Sequence, residues 1–393
     1  MPEALAERPD LVVIGASAGG VEALKRLIAR LPPDLPATVL MTLHLGEGTP
    51  SLLPGILARA GEIRVLPATE GAPLVPGVVY VSQPNVHLAV VDDHVVLGPG
   101  AKENGHRPSV DVLLRSAAVA HGRRVVGVIL TGMLDDGTAG LAAVARYGGV
   151  PLVQDPAEAD FPSMPMNALR GTPTARSLAL DALVDEVVHV VSGDSPSPGS
   201  MPEVPESVRE RDRAEVRSAL GRQPVLHDGG RIGHPSPYSC PDCGGVLNEV
   251  EDDAPLRFRC RVGHAYNGES LLRRQGHTFE DALWTALRAV EERVEVSRRL
   301  AEEAARSGRD WSHAHFARRA QDASRSAEVL RDVLAQHREA GAADGVEVAD
   351  DAGPAGREAA EPAHGHDAPQ LSTARLPGLP GLPGLPAPSD RGA

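Results

Sequence analysis

Leu11-Val12-Val13-Ile14-Gly15-Ala16-Ser17-Ala18-Gly19-Gly20, followed by Val21-Glu22-Ala23-Leu24, decides how the rest of the chain is read. Four apolar residues in a row are a short strand buried on both faces. Val21, Leu24, Leu27 and Ile28 then recur at helical spacing. Between them sits a turn of small residues with one hydroxyl, Ser17. Such a turn needs glycine because the backbone enters positive φ or approaches its neighbours closely. It lifts the central side chain off the end of a sheet, and the helix N-terminus offers unpaired N–H groups to a developing negative charge. The pattern is G-x-S-x-G, that of a nucleophile elbow. G-x-G-x-x-G is absent and no Lys-Ser or Lys-Thr follows Gly20, so neither the dinucleotide nor the P-loop fingerprint is met. A purely structural turn is the alternative, and a base and an acid elsewhere in the chain would decide against it.

At 393 residues the chain is long enough for two or three domains. Hydrophobic residues make up 42% and aromatics only 3%, so Ala, Val, Leu and Gly must do the packing. Lys and Arg number 39 against 53 Asp and Glu, a net charge of -14 that argues against nonspecific nucleic-acid binding. No apolar run reaches membrane-spanning length, so no membrane insertion is expected, and the first residues lack the apolar core of a secretory signal. The cysteines are Cys240, Cys243 and Cys260, a cluster that suits a metal site in a reducing compartment. A cytoplasmic location is expected.

From residue 9 to 193 apolar runs alternate with helical patterns. Strands are predicted at 37–43, 64–66, 124–130, 150–154 and 184–191, and helices at 51–59, 108–120 and 138–147. The runs at 77–81, 87–90 and 94–97 alternate as antiparallel strands do, with Asp92-Asp93 as a turn. The expectation is an α/β fold: a mostly parallel, doubly wound sheet with an antiparallel excursion. Ligands bind such sheets beyond the carboxyl ends of the strands. Ser17, His44 and Asp136 all lie just past strand ends, which puts a hydroxyl, an imidazole and a carboxylate on one rim. Alone, His44 reads as an ordinary loop histidine and Asp136 as a helix N-cap. Together they suit nucleophilic catalysis, in which the imidazole takes the hydroxyl proton and the carboxylate fixes its tautomer. The order Ser, His, Asp differs from that of α/β-hydrolases.

Residues 9–193 resemble the catalytic domain of the chemotaxis protein-glutamate methylesterases (CheB-type). The likeness is carried by residues 14–20, His44, Gln83-Pro84, Arg107-Pro108-Ser109-Val110-Asp111, residues 130–137, and Asp155-Pro156 through Phe161-Pro162-Ser163-Met164-Pro165, in that order. It implies a Ser-His-Asp hydrolase that removes methyl groups from glutamate side chains of chemoreceptors, with deamidation of receptor glutamines as a second activity and no catalytic cofactor. By the resemblance, Ser17 is the nucleophile, His44 the base and Asp136 the acid. The N–H groups of Ala18, in the Gly-rich turn, and of Met133 would hold the oxyanion, while Arg107 and residues 161–165 would border the substrate groove. Asp135 falls at a variable position and reads as a solvated loop carboxylate. The implied partners are a methylated chemoreceptor or receptor-like protein and a cognate methyltransferase. Two departures stand out. Ala18 replaces a threonine common in the family, and a strand beginning at residue 11 leaves no room for the receiver domain with which the regulatory architecture begins. Constitutive activity or control by another protein is therefore expected.

After a Ser/Pro/Gly-rich linker at 194–237, with a short polar helix at 206–220, comes C-x2-C-x16-C-x3-H: Cys240, Cys243, Cys260 and His264. Three sulfurs and one nitrogen complete a tetrahedral zinc shell with no open position, which favours a structural site. The module, residues 238–270, resembles a zinc ribbon. Its arginines permit nucleic-acid binding, but neighbouring acids oppose it, so nucleic acid is not an expected partner. Residues 279–338 form a helical hairpin: Leu283, Leu287, Val290, Val294 and Ala301 share one seam, and Phe316, Ala320, Ala323, Ala327, Leu330 and Leu334 another. The Ala/Gly/acid- and Pro-rich tail at 340–393 cannot form a core and is expected to be disordered. The competing functional readings are an idle esterase domain kept as a scaffold, with the zinc and helical parts carrying recognition, and a nucleic-acid-binding zinc module with an accessory hydrolase.

Overall fold

β1 (Leu11–Ala16) is buried along its whole length, and its side chains divide by parity: Val12, Ile14 and Ala16 enter one apolar cluster, Leu11 and Val13 another. A strand that is apolar at both parities belongs in the middle of a sheet covered on both sides. The computed structural model, which describes residues 10–44, 51–193, 203–222, 233–250 and 256–343, places it there.

From β1 the chain passes through α1 (Gly20–Arg30) to β2 (Thr38–Leu43), then α2 (Leu53–Leu57), β3 (Arg64–Pro67) and β4 (Val78–Val81). A hairpin of β5 (His87–Val91) and β6 (His94–Gly98) follows, then α3 (Val110–His121), β7 (Val125–Ile129), α4 (Thr138–Arg146), β8 (Val150–Gln154), α5 (Ser163–Gly171), β9 (Arg176–Leu178) and α6 (Leu180–Ser192). Seven strands form one parallel sheet in the order β3-β4-β2-β1-β7-β8-β9. The antiparallel excursion is the β5–β6 hairpin alone. Strand order reverses at β1, so the crevice past the ends of β1, β2 and β7 is the place where such sheets bind ligands.

Two sequence expectations are corrected. The run at 77–81 does not join the antiparallel excursion: β4 is buried on both faces and lies parallel between β3 and β2. The run at 184–191 is not the last strand. It belongs to α6, where Leu180, Leu183, Val184, Val187, Val190 and Val191 recur at helical spacing and pack on the core. Its β-branched valines imitate a strand, but a stripe of period three to four can bury only as a helix. The true edge strand is the short, partly exposed β9.

Beyond the sheet, α7 (Glu206–Ala219) lies so close to the β6–α3 connection that a Cβ on Gly100 would fall 2.2 Å from the Ala219 carbonyl oxygen. β10 (His234–Ser239), β11 (Val246–Glu249), β12 (Arg257–Cys260) and β13 (Ala265–Asn267) form a small antiparallel sheet in chain order. α8 (Gly268–Arg306) and α9 (Asp310–Ala343) make the hairpin, with Leu287, Ala327 and Leu334 at the heart of its seam. α8 begins at Gly268, ahead of the expected hairpin start at 279 and of the apolar seam that opens at Leu283. Apart from 340–343, which complete α9, the expected tail lies outside the described residues. No helix among the described residues is long and apolar enough to cross a membrane.

Gly15 closes β1 against the start of α3: a Cβ there would stand 2.1 Å from Val110 Cγ1. Gly15→Ala should therefore cost about 1–3 kcal/mol, read as a lower urea midpoint at unchanged slope. Adding Val110→Ala to that variant should recover part of the loss.

Candidate active site

The Ser17 turn is built as its glycines require. Gly19 takes φ +73 and caps α1, and the Gly20 N–H donates to the Ser17 carbonyl at 2.9 Å. The loop after β7 lies directly against it. The Ser17 N–H donates to the Thr131 carbonyl (3.0 Å), the Thr131 hydroxyl donates to the Ala18 carbonyl (3.1 Å), and a Cβ on Gly132 would meet the Ser17 Cβ at 2.9 Å. Small residues on both segments thus let the Ser17 turn and the loop that bears Asp136 touch.

The structure brings Ser17, His44 and Asp136 together from three connections. Ser17 Oγ is 3.0 Å from His44 Nδ1, and His44 Nε2 is 2.7 Å from Asp136 Oδ2. An ionised carboxylate only accepts, so Nε2 carries the proton and Nδ1 presents its lone pair to the serine hydroxyl. The imidazole is largely covered, and His106 stacks on it with centroids 3.7 Å apart and planes 8° from parallel. Burial, with the His44 charge next, lowers the His106 pKa to about 3, so this second ring is a neutral plate that restrains the first.

Asp136 is the best-connected group in the site. Oδ2 accepts from His44 and from the Val110 N–H (2.8 Å). Oδ1 accepts from the Ser109 hydroxyl (2.9 Å), Asn104 Nδ2 (2.8 Å) and the N–H groups of Gly137 (3.0 Å) and Asp111 (3.2 Å). Val110 and Asp111 open α3, so the carboxylate rests on a helix N-terminus, where backbone N–H groups and the helix dipole favour negative charge. Burial alone would raise its pKa; the His44 hydrogen bond and charge, His106 and the Val110 N–H outweigh it and hold the carboxyl below the usual carboxylate range.

The other expected residues fall as follows. The N–H groups of Ala18 and Met133 have no hydrogen-bond partner among the described residues. Arg107 donates through Nη1 to the carbonyls of Pro99 (3.1 Å) and Gly100 (2.8 Å). The 161–165 segment is tied to the acid loop: Phe161 N–H to the Thr131 hydroxyl (2.9 Å), Met164 N–H to the Gly132 carbonyl (3.0 Å) and Leu134 N–H to Ser163 Oγ (2.8 Å), while the Phe161 ring stays exposed. Asp135 is not a solvated loop carboxylate. It is buried, and it accepts from the Glu269 N–H (2.8 Å), the Ser270 N–H (3.2 Å) and the Ser270 hydroxyl.

Sequence reasoning gave no role to Asn104, His106 or Ser109. Asn104-Gly105, at φ 54 and 80, is the tight turn that Asn-Gly signals, and Ser109 lies in the Arg107–Asp111 stretch. Nothing local could show that both side chains end on Asp136.

Cys240, Cys243, Cys260 and His264 come together in the small sheet, with their donor atoms all within 4.8 Å of one another. Cys243 Sγ is 3.8 Å from Cys260 Sγ, and His264 Nδ1 is 3.7 Å from Cys240 Sγ and 3.6 Å from Cys260 Sγ. Tetrahedral zinc with Zn–S bonds of about 2.3 Å puts its sulfurs about 3.8 Å apart, so the donors fit that ion.

A family profile described as CheB methylesterase matches residues 12–187. The chain is 33% identical over 182 residues to a putative protein-glutamate methylesterase/protein-glutamine glutaminase of Leptospira interrogans, covering 46% of this chain and 94% of the relative. It is 35% identical over 190 residues to the protein-glutamate methylesterase/protein-glutamine glutaminase 2 of Methanosarcina mazei and 41% identical over 169 residues to the protein-glutamate methylesterase/protein-glutamine glutaminase of Thiobacillus denitrificans. These alignments cover 46% and 42% of this chain and 52% and 47% of the relatives, so the chain spans about half the length of these two curated relatives. The crystal structure of the Thermotoga maritima CheB methylesterase catalytic domain matches with 31% identity over 46% of this chain and 98% of that chain, at a TM-score of 0.44.

Because the Asp136 carboxyl is held below its ordinary range, its stabilising contribution is complete above the unfolded value of about 3.9 and is lost as pH falls through the folded value. The stability gap between the native protein and Asp136→Asn, taken from urea midpoints, should be widest near neutral pH and narrow below about pH 4. With the Ser17–His44–Asp136 chain assembled on the rim of the sheet and nearly all of a Leptospira relative aligned, the protein belongs to the CheB methylesterase family.

Proposed function

We propose that this chain is a protein-glutamate methylesterase that hydrolyses glutamate methyl esters on a chemoreceptor or receptor-like protein, with glutamine deamidation as a second activity. One observation carries the reading: the unbroken hydrogen-bond chain from Ser17 through His44 to Asp136, in a member of this family. The same chain weighs against an idle scaffold. In the proposed mechanism, His44 Nδ1 takes the Ser17 proton as Oγ attacks the ester carbonyl. Asp136 supports the imidazolium through Nε2–H. The N–H groups of Ala18 and Met133 receive the oxyanion, each such donor typically contributing about 2.7–4 kcal/mol. The imidazolium protonates the departing methoxide, methanol leaves, and His44 then activates water to release the glutamate. The exposed Phe161 ring is available to a receptor helix at the rim.

Residues 9–193 are the proposed catalytic domain. Residues 238–270 are a zinc module in which Cys240, Cys243, Cys260 and His264 hold a structural ion, and 279–338 are a helical hairpin. The donor spacing, and four protein donors that would fill a tetrahedral shell, support a closed, noncatalytic site.

Methanol release from a receptor fragment carrying glutamate methyl esters tests the assignment. Ser17→Ala should lower it by at least about a thousandfold, and undiminished turnover would reject the nucleophile. Elemental analysis should find one zinc per chain, and Cys243→Ser should lower that content; a native protein devoid of metal would end the zinc reading.

A further inference from the structure

The small sheet is joined to the active site by a short path. Asn267 lies three positions after His264 and closes β13, immediately before α8. Alongside it, the segment before α3 meets β13 in a single parallel bridge at Glu103: the Asn104 N–H donates to the Ala265 carbonyl (2.7 Å) and the Ala265 N–H to the Lys102 carbonyl (3.3 Å). The Asn267 N–H donates to Asn104 Oδ1 at 2.7 Å, and its side-chain Nδ2 donates to Asp111 Oδ2 (2.8 Å) and to the Asp135 carbonyl (2.9 Å). Asn104 in turn spends its own Nδ2 on Asp111 Oδ2 and Asp136 Oδ1, both at 2.8 Å. Two buried amides therefore connect a donor of the metal centre to the acid of the proposed hydrolase.

The other face of this contact is the Asp135 carboxylate. It caps the first turn of α8, which explains why that helix starts ahead of its own apolar seam. Glu269, in the same turn, accepts from Asn167 Nδ2 (2.6 Å), and Asn167 also donates to the Leu134 carbonyl (2.9 Å). The loop that presents the Met133 N–H and Asp136 is thus clamped by α5 on one side and by α8 on the other.

Buried charge fixes the orientation of the module. Arg259, next to Cys260, pairs with Glu103, the neighbour of Asn104; Arg115 of α3 bonds Glu103 (3.2 Å) and Glu215 (3.0 Å); Arg257 bonds Glu215 of α7 (2.7 Å). All five side chains are almost entirely buried. A buried pair deprived of one partner leaves an uncompensated charge, so this arrangement holds in one docked geometry.

The module has little of its own to keep β13 in place. Its core consists of Cys240, Leu247, Phe258, Cys260, Tyr266 and Leu271, and two of these six are metal-centre thiols. Domains this small depend on a bound metal for their fold. We propose that the Cys240–Cys243–Cys260–His264 centre gates the esterase: metal binding orders β13, and Asn267 with Asn104 then acts as a pair of positioning residues that hold the Asp135–Asp136 loop in its working place. The proposal rests on Ser17 being the nucleophile and adds that residues outside the family-matched region set how well it works.

The test uses the full chain, zinc-loaded and chelator-stripped under reducing conditions. It reads the rate of Ser17 labelling by a fluorophosphonate and the amide exchange of residues 134–137. Stripping should slow labelling at saturating probe by about tenfold or more, leave the half-saturating probe concentration unchanged, speed exchange in the loop, and be reversed by zinc. Asn267→Ala should keep its zinc, show the same slowed rate, and lose most of its response to stripping. Labelling and exchange that ignore zinc, or an Asn267→Ala protein with native rate and native zinc response, would overturn the proposal. A loaded protein whose Ser17 does not react at all would instead overturn the esterase reading. Loop exchange would then judge the coupling by itself, an unchanged rate on stripping counting against it.

Discussion

Everything at the rim of this sheet depends on one buried carboxylate. Asp136 is nearly shielded from water, and an ion in that position is tolerable only if its lone pairs are met. Six donors meet them: two amides that open α3, the amide of its own successor, a serine hydroxyl, an asparagine amide and the imidazole of His44. Each donor ties a different piece of chain to the same point. The start of α3, the Asn-Gly turn before it, the loop after β7 and the segment after β2 are therefore held in one relative arrangement. The ionised state that the proposed mechanism needs is the same state that organises the fold locally, since a neutral carboxyl would forfeit the charge-assisted part of these bonds.

The low aromatic content has a structural counterpart here. Close approach of backbone, rather than large side chains, brings the site together. Gly132 admits Ser17, Gly15 admits Val110, and Gly137 at φ +88 turns the chain into α4 against Ile129 and Val110. Any side chain at these positions would hold apart the elements that carry the hydroxyl and the acid. The neutral His106 plate adds a restraint that hydrogen bonds do not, since stacking fixes the plane of the His44 ring while the bonds fix its two ends.

The C-terminal module is attached by the opposite kind of physics. Its contact with the catalytic unit is rich in buried charge and amide groups, with three guanidiniums against the carboxylates of Glu103 and Glu215, beside Asp111. Burial raises the Asp111 pKa, with the Asp136 charge adding to the rise, while Arg115 and Arg257 oppose it. Such contacts add little net stability compared with apolar packing of equal size, but they tolerate a single registry. That is the property wanted where a second unit meets the loop that carries Asp136 and the Met133 N–H.

Much of the catalytic sheet was legible in the residues. β1, β2, β7 and β8 are continuous apolar runs, and the Ser17 turn, His44 and Asp136 each follow a strand end, because parallel sheets bury both faces and put loops at their carboxyl edge. Local pattern misled where two periods overlap, as in the valine-rich α6, and where a parallel strand sits beside a hairpin, as β4 does. Asp135 was illegible for a different reason: its partners, Glu269 and Ser270, lie 134 and 135 positions away. The sequence alone thus determined which side chains follow the strand ends, the spacing of the three cysteines and His264, and the parallel architecture, because these are properties of residue type and short period. Only the tertiary structure decided that Asn104, His106, Ser109 and Asn267 converge around His44 and the Asp135–Asp136 loop. Hydrogen bonds between segments far apart in the chain leave no periodic trace in either one.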